Sequence, residues 1–288
     1  MAWNLDGRVA LITGAGSGIG AELARQLAAR GMRLALIDVN GEALQAVAAG
    51  LPGAETAVAD VRDAEALSAA IDDLAARCGG LDVAVANAGV ATGGPLRLVG
   101  PETVEETLDI NLLGVWRTVR PAIPHVLPRR GYLLLVASAA AVVPTAGLGA
   151  YSASKAGVEA LGRTLRVELR THGVGVGVAY YLFLNTPMVT ASEDSPIFAR
   201  TKSRLPAPLA KTWPLEPAVA RTVRGIERRS RAVAYPPFLR GMMAARGLLD
   251  NPLLDRVVAG TMPSMEQAFA AEAERVGAAA AARAVGGR

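Results

Sequence analysis

Residues 8–13 (RVALIT) form a short apolar run rich in β-branched side chains. A glycine-rich turn follows at once, residues 14–20 (GAGSGIG), and then a helical pattern over about 19–29. Strand, glycine turn and helix in immediate succession admit few folds. The alternation continues down the chain. Strands are predicted at 33–37, ending at Asp38, at 54–59, ending at Asp60, and at 81–86, ending at Asn87-Ala88-Gly89. Further strands are predicted at 132–137, 175–180 and 232–235, with helices at 42–49, 64–77, 101–127, 151–171 and 216–229 between them. Such alternation predicts right-handed βαβ units and a parallel sheet covered by helices on both faces. The expected class is α/β, doubly wound, with about seven strands.

Composition supports this. A chain of 288 residues can bury a substantial core, and with 51% hydrophobic but only 4% aromatic residues that core is built of Ala, Val and Leu. Cys78 is the only cysteine, so no internal disulfide can form, and MAWNLDGR lacks a signal-peptide pattern. A cytoplasmic protein is expected. Residues 131–154 and 173–192 are long and uncharged, but Pro, Gly and hydroxyl side chains interrupt both. They read as strands buried on both faces followed by loops, not as integral membrane segments. Residues 1–199 hold 15 basic and 19 acidic side chains, and residues 200–288 hold 15 and 7. The basic last third fits an acidic partner, a phosphate-bearing substrate, a membrane surface or an arginine-rich soluble surface. No nucleic-acid partner is expected. His125 and His172 have no metal-ligand spacing and Cys78 has no cysteine partner, so no metal is expected.

The glycine turn is suited to a pyrophosphate, because glycines let backbone amides at a helix N-terminus approach the anion. Asp38 ends the second strand about twenty residues on, where a carboxylate accepts hydrogen bonds from a ribose diol and repels a 2′-phosphate. Val39 and Asn40 follow it, with no Arg or Lys, so NAD is favoured over NADP.

Residues 138–155 (SAAAVVPTAGLGAYSASK) carry the candidate chemistry. Tyr151 and Lys155 are i, i+4 neighbours on one helix face, with Ser138 thirteen residues before the tyrosine. A phenol titrates near 10, and a nearby ammonium pulls it down, which makes Tyr151 a candidate proton donor and acceptor. Only Lys155, Lys202 and Lys211 are lysines among 30 basic residues. At position 155, then, a compact ammonium stands where a generic cation would have been arginine.

Together these motifs resemble the short-chain dehydrogenase/reductase family over roughly residues 5–235. The resemblance rests on Thr13-Gly14-x-x-x-Gly18-x-Gly20, Asp60-Val61, Asn87-Ala88-Gly89, Asn111 in DINLLG, and Ser138, Tyr151 and Lys155 at the family's spacings. It implies a Rossmann-type domain over 1–235 and an NAD-dependent alcohol dehydrogenase or carbonyl reductase. In it Tyr151 exchanges a proton with the substrate oxygen, Lys155 lowers the tyrosine pKa and holds the nicotinamide ribose, and Ser138 polarises the substrate. Asn111 holds a water linking Lys155 to solvent. Gly14, Ser17, Gly18, Ile19, Gly20, Asp38, Asp60, Val61, Asn87, Ala88, Gly89 and Thr186 would bind cofactor along with Tyr151 and Lys155. The family usually forms dimers or tetramers through the helices at 101–127 and 151–171, and a homodimer or homotetramer is expected.

One departure stands out. The family usually has Pro-Gly after the sixth strand, where this chain has Tyr181-Leu182. Tyr181, Leu182 and Phe183 either line the pocket or are buried sheet-end residues. Ala139, Val142, Val143, Pro144, Leu148, Phe183 and Leu184 make the expected pocket apolar, which suits a hydrophobic secondary alcohol or ketone. The alternatives are a reductase of a carrier-bound acyl chain and a non-catalytic dinucleotide sensor. Residues 187–213 lie where the family places a lid. Residues 236–288 read as three short helical stretches, packed on the domain or on a neighbouring subunit, with a disordered Gly-Gly-Arg tip.

Overall fold

A computed structural model describes residues 3–193, 196–203, 205–248 and 251–283. Strands and helices alternate: β1 (Val9–Thr13), α1 (Gly18–Ala28), β2 (Arg33–Asp38), α2 (Gly41–Ala48), β3 (Glu55–Val58), α3 (Ala64–Cys78) and β4 (Val83–Ala86). Then come α4 (Pro101–Leu108), α5 (Gly114–Val126), β5 (Tyr132–Val136), α6 (Gly149–Glu168) and β6 (Gly175–Tyr181). Short helices α7 (Pro187–Glu193), α8 (Pro196–Ser203) and α9 (Ala207–Ala210) precede α10 (Leu215–Glu227) and β7 (Ala232–Tyr235). The C-terminal segment holds α11 (Leu239–Ala245), α12 (Pro252–Ala259), α13 (Met262–Val276) and α14 (Ala278–Arg283).

The sheet has seven strands in the order β3-β2-β1-β4-β5-β6-β7, every neighbouring pair parallel. This is the expected doubly wound sheet. Its central strands β1, β4 and β5 are buried throughout, and alternate residues feed different cores. Val9 and Leu11, with Leu133 and Leu135, pack among residues of α3, α5 and α6. Ala10 and Ile12, with Leu134 and Val136, pack among residues of α1, α2 and α10. From β1 the chain winds outward to β3, then crosses back to β4 on the other side of β1. Ligands of such sheets bind in the crevice that this reversal opens at the carboxyl ends of the strands.

Local sequence explains two of the helix starts directly. Asn40 accepts a hydrogen bond from the Ala43 amide at 3.0 Å, and Asp63 accepts from those of Glu65 and Ala66, so each caps its helix. The helix predicted over 101–127 is interrupted by a π-helical turn, Asp109–Leu113, which carries Asn111. The C-terminal helix α13 begins at Met262 and breaks at Gly277, which adopts φ 87°. The predicted disordered tip, residues 286–288, lies outside the described residues, as do residues 194, 195 and 204 of the expected lid. No helix among the described residues is long and apolar enough to cross a membrane.

Candidate active site

The turn between β1 and α1 opens the crevice. Ser17 is the N-cap of α1, yet its side chain makes no capping bond, and the first turn carries no acidic residue. The amides of this helix end, with their positive end of the dipole, are thus left for an external anion. Gly20 faces inward: a Cβ there would overlap the carbonyl oxygen of Gly14. Asn87 staples the end of β4 to this turn, its Nδ2 donating to the carbonyls of Thr13 at 3.0 Å and Gly14 at 3.1 Å. Asp38 is fixed by the amides of Gly16 at 2.8 Å and Asn40 at 2.9 Å. Asp60 pairs with Arg62 at 2.6 Å, and that hydrogen bond holds its carboxyl below the ordinary value against the opposing effect of burial.

A cavity of about 680 Å³ runs from this turn past the ends of β4, β5 and β6, a volume in the range of small-molecule sites. It brings together Gly14, Ser17, Gly18, Ile19, Asp38, Asp60, Val61, Asn87, Ala88, Gly89, Ser138, Tyr151, Lys155 and Thr186. Gly20 and Asn111 do not line it. Gly20 instead lets α1 close on its own turn. The donor set fits a dinucleotide. An uncapped helix end lies in the middle, a carboxylate suited to a ribose diol at one end, and Tyr151 and Lys155 at the other.

Helix α6 starts just after the β5 loop and places Tyr151 and Lys155 one turn apart, the ammonium 5.7 Å from the centre of the tyrosine ring. Lys155 is buried, donates to the carbonyl of Val136 at 3.1 Å, and is pulled down to about 8 by desolvation. Ser138 hydrogen-bonds Tyr151, and its oxygen accepts from the Ala140 amide at 3.2 Å. The i+4 lysine led to the expectation of a lowered phenol. In the structure burial dominates and pushes Tyr151 up, with the Ser138 hydrogen bond opposing it. Asn111, on the π-helical turn, is held against the loop after β4. Its Oδ1 accepts from the Val90 amide and its Nδ2 donates to the Val90 carbonyl, both at 2.8 Å, and Nδ2 reaches Ser154 Oγ at 3.2 Å. Protein groups thus meet both ends of the side-chain amide, which locks the loop after β4.

The Tyr181-Leu182 departure resolves into two behaviours. The Tyr181 ring is buried among residues of α10, its hydroxyl 2.6 Å from Thr222 Oγ1, while its carbonyl accepts from Ser138 Oγ at 3.4 Å. Leu182 and Phe183 line the cavity, as does part of Tyr181, and Phe183 meets Phe198 edge-on at 5.4 Å. Of the residues expected in the apolar pocket, Pro144 is not at its wall. Sequence reasoning missed Arg62, Leu239 and Met242 there. An i, i+3 pair of apolar residues on a short helix is too common a pattern to single out.

Comparison with known proteins agrees with this geometry. A family model described as short chain dehydrogenase matches residues 8–196. The chain is 34% identical over 269 residues to (-)-trans-carveol dehydrogenase of Rhodococcus erythropolis, covering 81% of this chain and 96% of that one. It is 36% identical over 209 residues to D-threitol dehydrogenase of Mycolicibacterium smegmatis, covering 71% and 80%. Among solved structures, carveol dehydrogenase from Mycobacterium avium in complex with NAD matches with TM-score 0.73 and 28% identity, over 81% of this chain and 97% of that one. A short chain dehydrogenase/reductase from Burkholderia phymatum in complex with NAD matches with TM-score 0.75 and 27% identity, over 87% and 98%. A match this long, to relatives aligned over most of their length, settles the lineage: the chain belongs to the short-chain dehydrogenase/reductase family.

Proposed function

We propose that this protein is an NAD-dependent oxidoreductase that interconverts an apolar secondary alcohol and its ketone, with Tyr151 as general acid and base. The observation that carries the reading is the placement of Ser138, Tyr151 and Lys155 together on a mainly apolar stretch of wall, where Thr145 and Ser192 are the other polar residues. NAD, when bound, supplies the hydride acceptor for oxidation and, reduced, the hydride donor for the reverse. In oxidation the Tyr151 phenolate takes the hydroxyl proton as the alcohol O–H bond breaks. Ser138 donates its one hydroxyl hydrogen to the same oxygen, which orients the alcohol. Lys155 supplies positive charge 5.7 Å from the centre of the tyrosine ring and would hold the ribose of bound NAD. Asn111 acts at one remove, by fixing the loop after β4.

Beyond these polar residues the wall is made by Val142, Val143, Leu184, Val189 and Leu205 together with the aromatic pair. This supports a carveol-like cyclic alcohol over a D-threitol-like polyol. A homo-oligomer built on α5 and α6 is supported by exposed apolar side chains there and on the π turn, Leu113 at 44%, Trp116 at 38% and Val167 at 73%. The test is turnover of carveol and D-threitol with NAD by the parent and by Tyr151→Phe. The variant should lose about 100-fold or more in kcat while binding NADH normally in a fluorescence titration. Retained turnover removes the role given to Tyr151, and turnover confined to D-threitol removes the apolar substrate.

A further inference from the structure

The outer wall of the cavity is assembled from parts far apart in the chain. Leu239 and Met242, on successive turns of α11, line it directly. Arg246, just beyond α11, donates to Glu159 Oε1 at 2.9 Å. Glu159 is buried on α6, one turn past Lys155, so α11 is tied to the helix that carries the candidate catalytic pair.

A second anchor comes from α13 and α14. The ring of Phe269 is buried and clusters with Phe198, Phe183 and Leu148, three residues that line the cavity. It sits against Gly94, which adopts φ 138° and where a Cβ would overlap the ring. Only a glycine suits both the backbone and the ring at that position. The Gly94 amide donates to the Gly147 carbonyl at 2.7 Å, joining the loop after β4 to the loop before α6. The neighbouring Gly93 amide donates to the Ala282 carbonyl at 2.9 Å, and Arg97 pairs with Glu266. The end of the described chain is thus latched to both loops that flank the candidate catalytic pair.

We infer that α11, backed by α13 and α14, is the specificity wall of the substrate site. Leu239 and Met242 contact the apolar body of the substrate, and Phe269 is a positioning residue that holds Phe198 and Leu148 in place behind it. The inference rests on the alcohol-oxidoreductase reading and narrows it to a compact, neutral alcohol with one polar handle. Such a wall acts on how well a bulky substrate fits, not on proton transfer, so its signature is a rise in KM with little change in kcat.

The test compares Phe269→Ala, Met242→Ala and the control Arg275→Ala, whose partner is Glu272 on the same helix. The substrate is 4-tert-butylcyclohexanol with NAD. Phe269→Ala and Met242→Ala should each raise KM about tenfold with kcat within about threefold and NADH affinity unchanged, while Arg275→Ala matches the parent. Should Phe269→Ala fail to fold, Phe269→Leu and Met242→Ala carry the comparison. Unchanged KM in the folded wall variants, or a parallel fall of kcat and NADH affinity, overturns the wall. If the parent oxidises no alcohol, the functional reading falls separately. The wall is then read from calorimetric binding of 4-tert-butylcyclohexanone to the NADH-saturated protein. Weaker binding by both wall variants sustains it, and unchanged binding, or none by the parent, overturns it.

Discussion

The two ends of the cavity are built by opposite means. At the nucleotide end the parts are backbone amides and glycines, drawn largely from consecutive residues of a single strand–turn–helix unit, with the carboxylates of Asp38 and Asp60. At the substrate end the parts are side chains, brought together from the β5 loop, the end of β6, α8 and α11 and backed by α13. The first end tolerates almost no change in shape, because its contacts are backbone against backbone. The second can be re-cut one side chain at a time. A fold with this division keeps its cofactor while its substrate changes.

Four substitutions would break or sharpen that contrast. The largest effect is expected where the two ends meet. Lys155→Met should lower kcat about 100-fold or more, in line with loss of a group that supports acid–base catalysis. Its stability should move the other way. The folded value of about 8 lies below the ordinary 10.5, so between those pH values the folded protein binds fewer protons than the unfolded chain. Stability of the parent therefore rises with pH across that window, and the cost of burying the ammonium is full below it. Melting curves should show the variant at least as stable as the parent at pH 7, with the gap closing from pH 8 to 10.5. A variant that is less stable at pH 7 would show that the lost bond to Val136 outweighs desolvation.

Next comes Gly20→Ala. Its Cβ would overlap a backbone carbonyl, which has no rotamer to escape into, so about 2–3 kcal/mol of stability and most NADH binding should be lost together. Normal NADH affinity in this variant would contradict the rigid picture of the nucleotide end. Asp38→Asn should be milder. Removing the charge should cut the NADH over NADPH preference by about tenfold, read from two fluorescence titrations. An unaltered preference would mean that another group excludes the 2′-phosphate. The smallest effect belongs to Tyr181→Phe. Thr222 keeps its bond to the Ala218 carbonyl, so losing the hydroxyl pair should cost about 1 kcal/mol in thermal melts and leave kcat within twofold. A large drop in kcat would show that the departure from Pro-Gly reaches the chemistry.

The same contrast decides what could be read from the residues alone. The parallel sheet, its seven strands and the glycine turn were legible because each is a local pattern: an apolar run, a glycine cluster, a helical period. Asp38, Ser138, Tyr151 and Lys155 were legible because the chemistry demands short, fixed separations. The π turn at Asp109–Leu113 was not, since nothing in a helical period marks an extra residue per turn. The direction of the Tyr151 shift was not legible, because sequence shows a neighbouring lysine but not the depth of burial. Nor could the outer wall be foreseen: Gly94 and Phe269 are ordinary residues until the fold sets one against the other.

That contact also fixes an order of events during synthesis. The nucleotide turn, the Ser–Tyr–Lys face and all seven strands lie before Pro236, and domains fold from the N-terminal side as the chain emerges. Met265, Phe269 and Ala282 are among the last described residues to be made. A nascent chain interrupted after β7 therefore carries every residue assigned to cofactor and proton transfer, but none of the buttress that gives the site its selectivity.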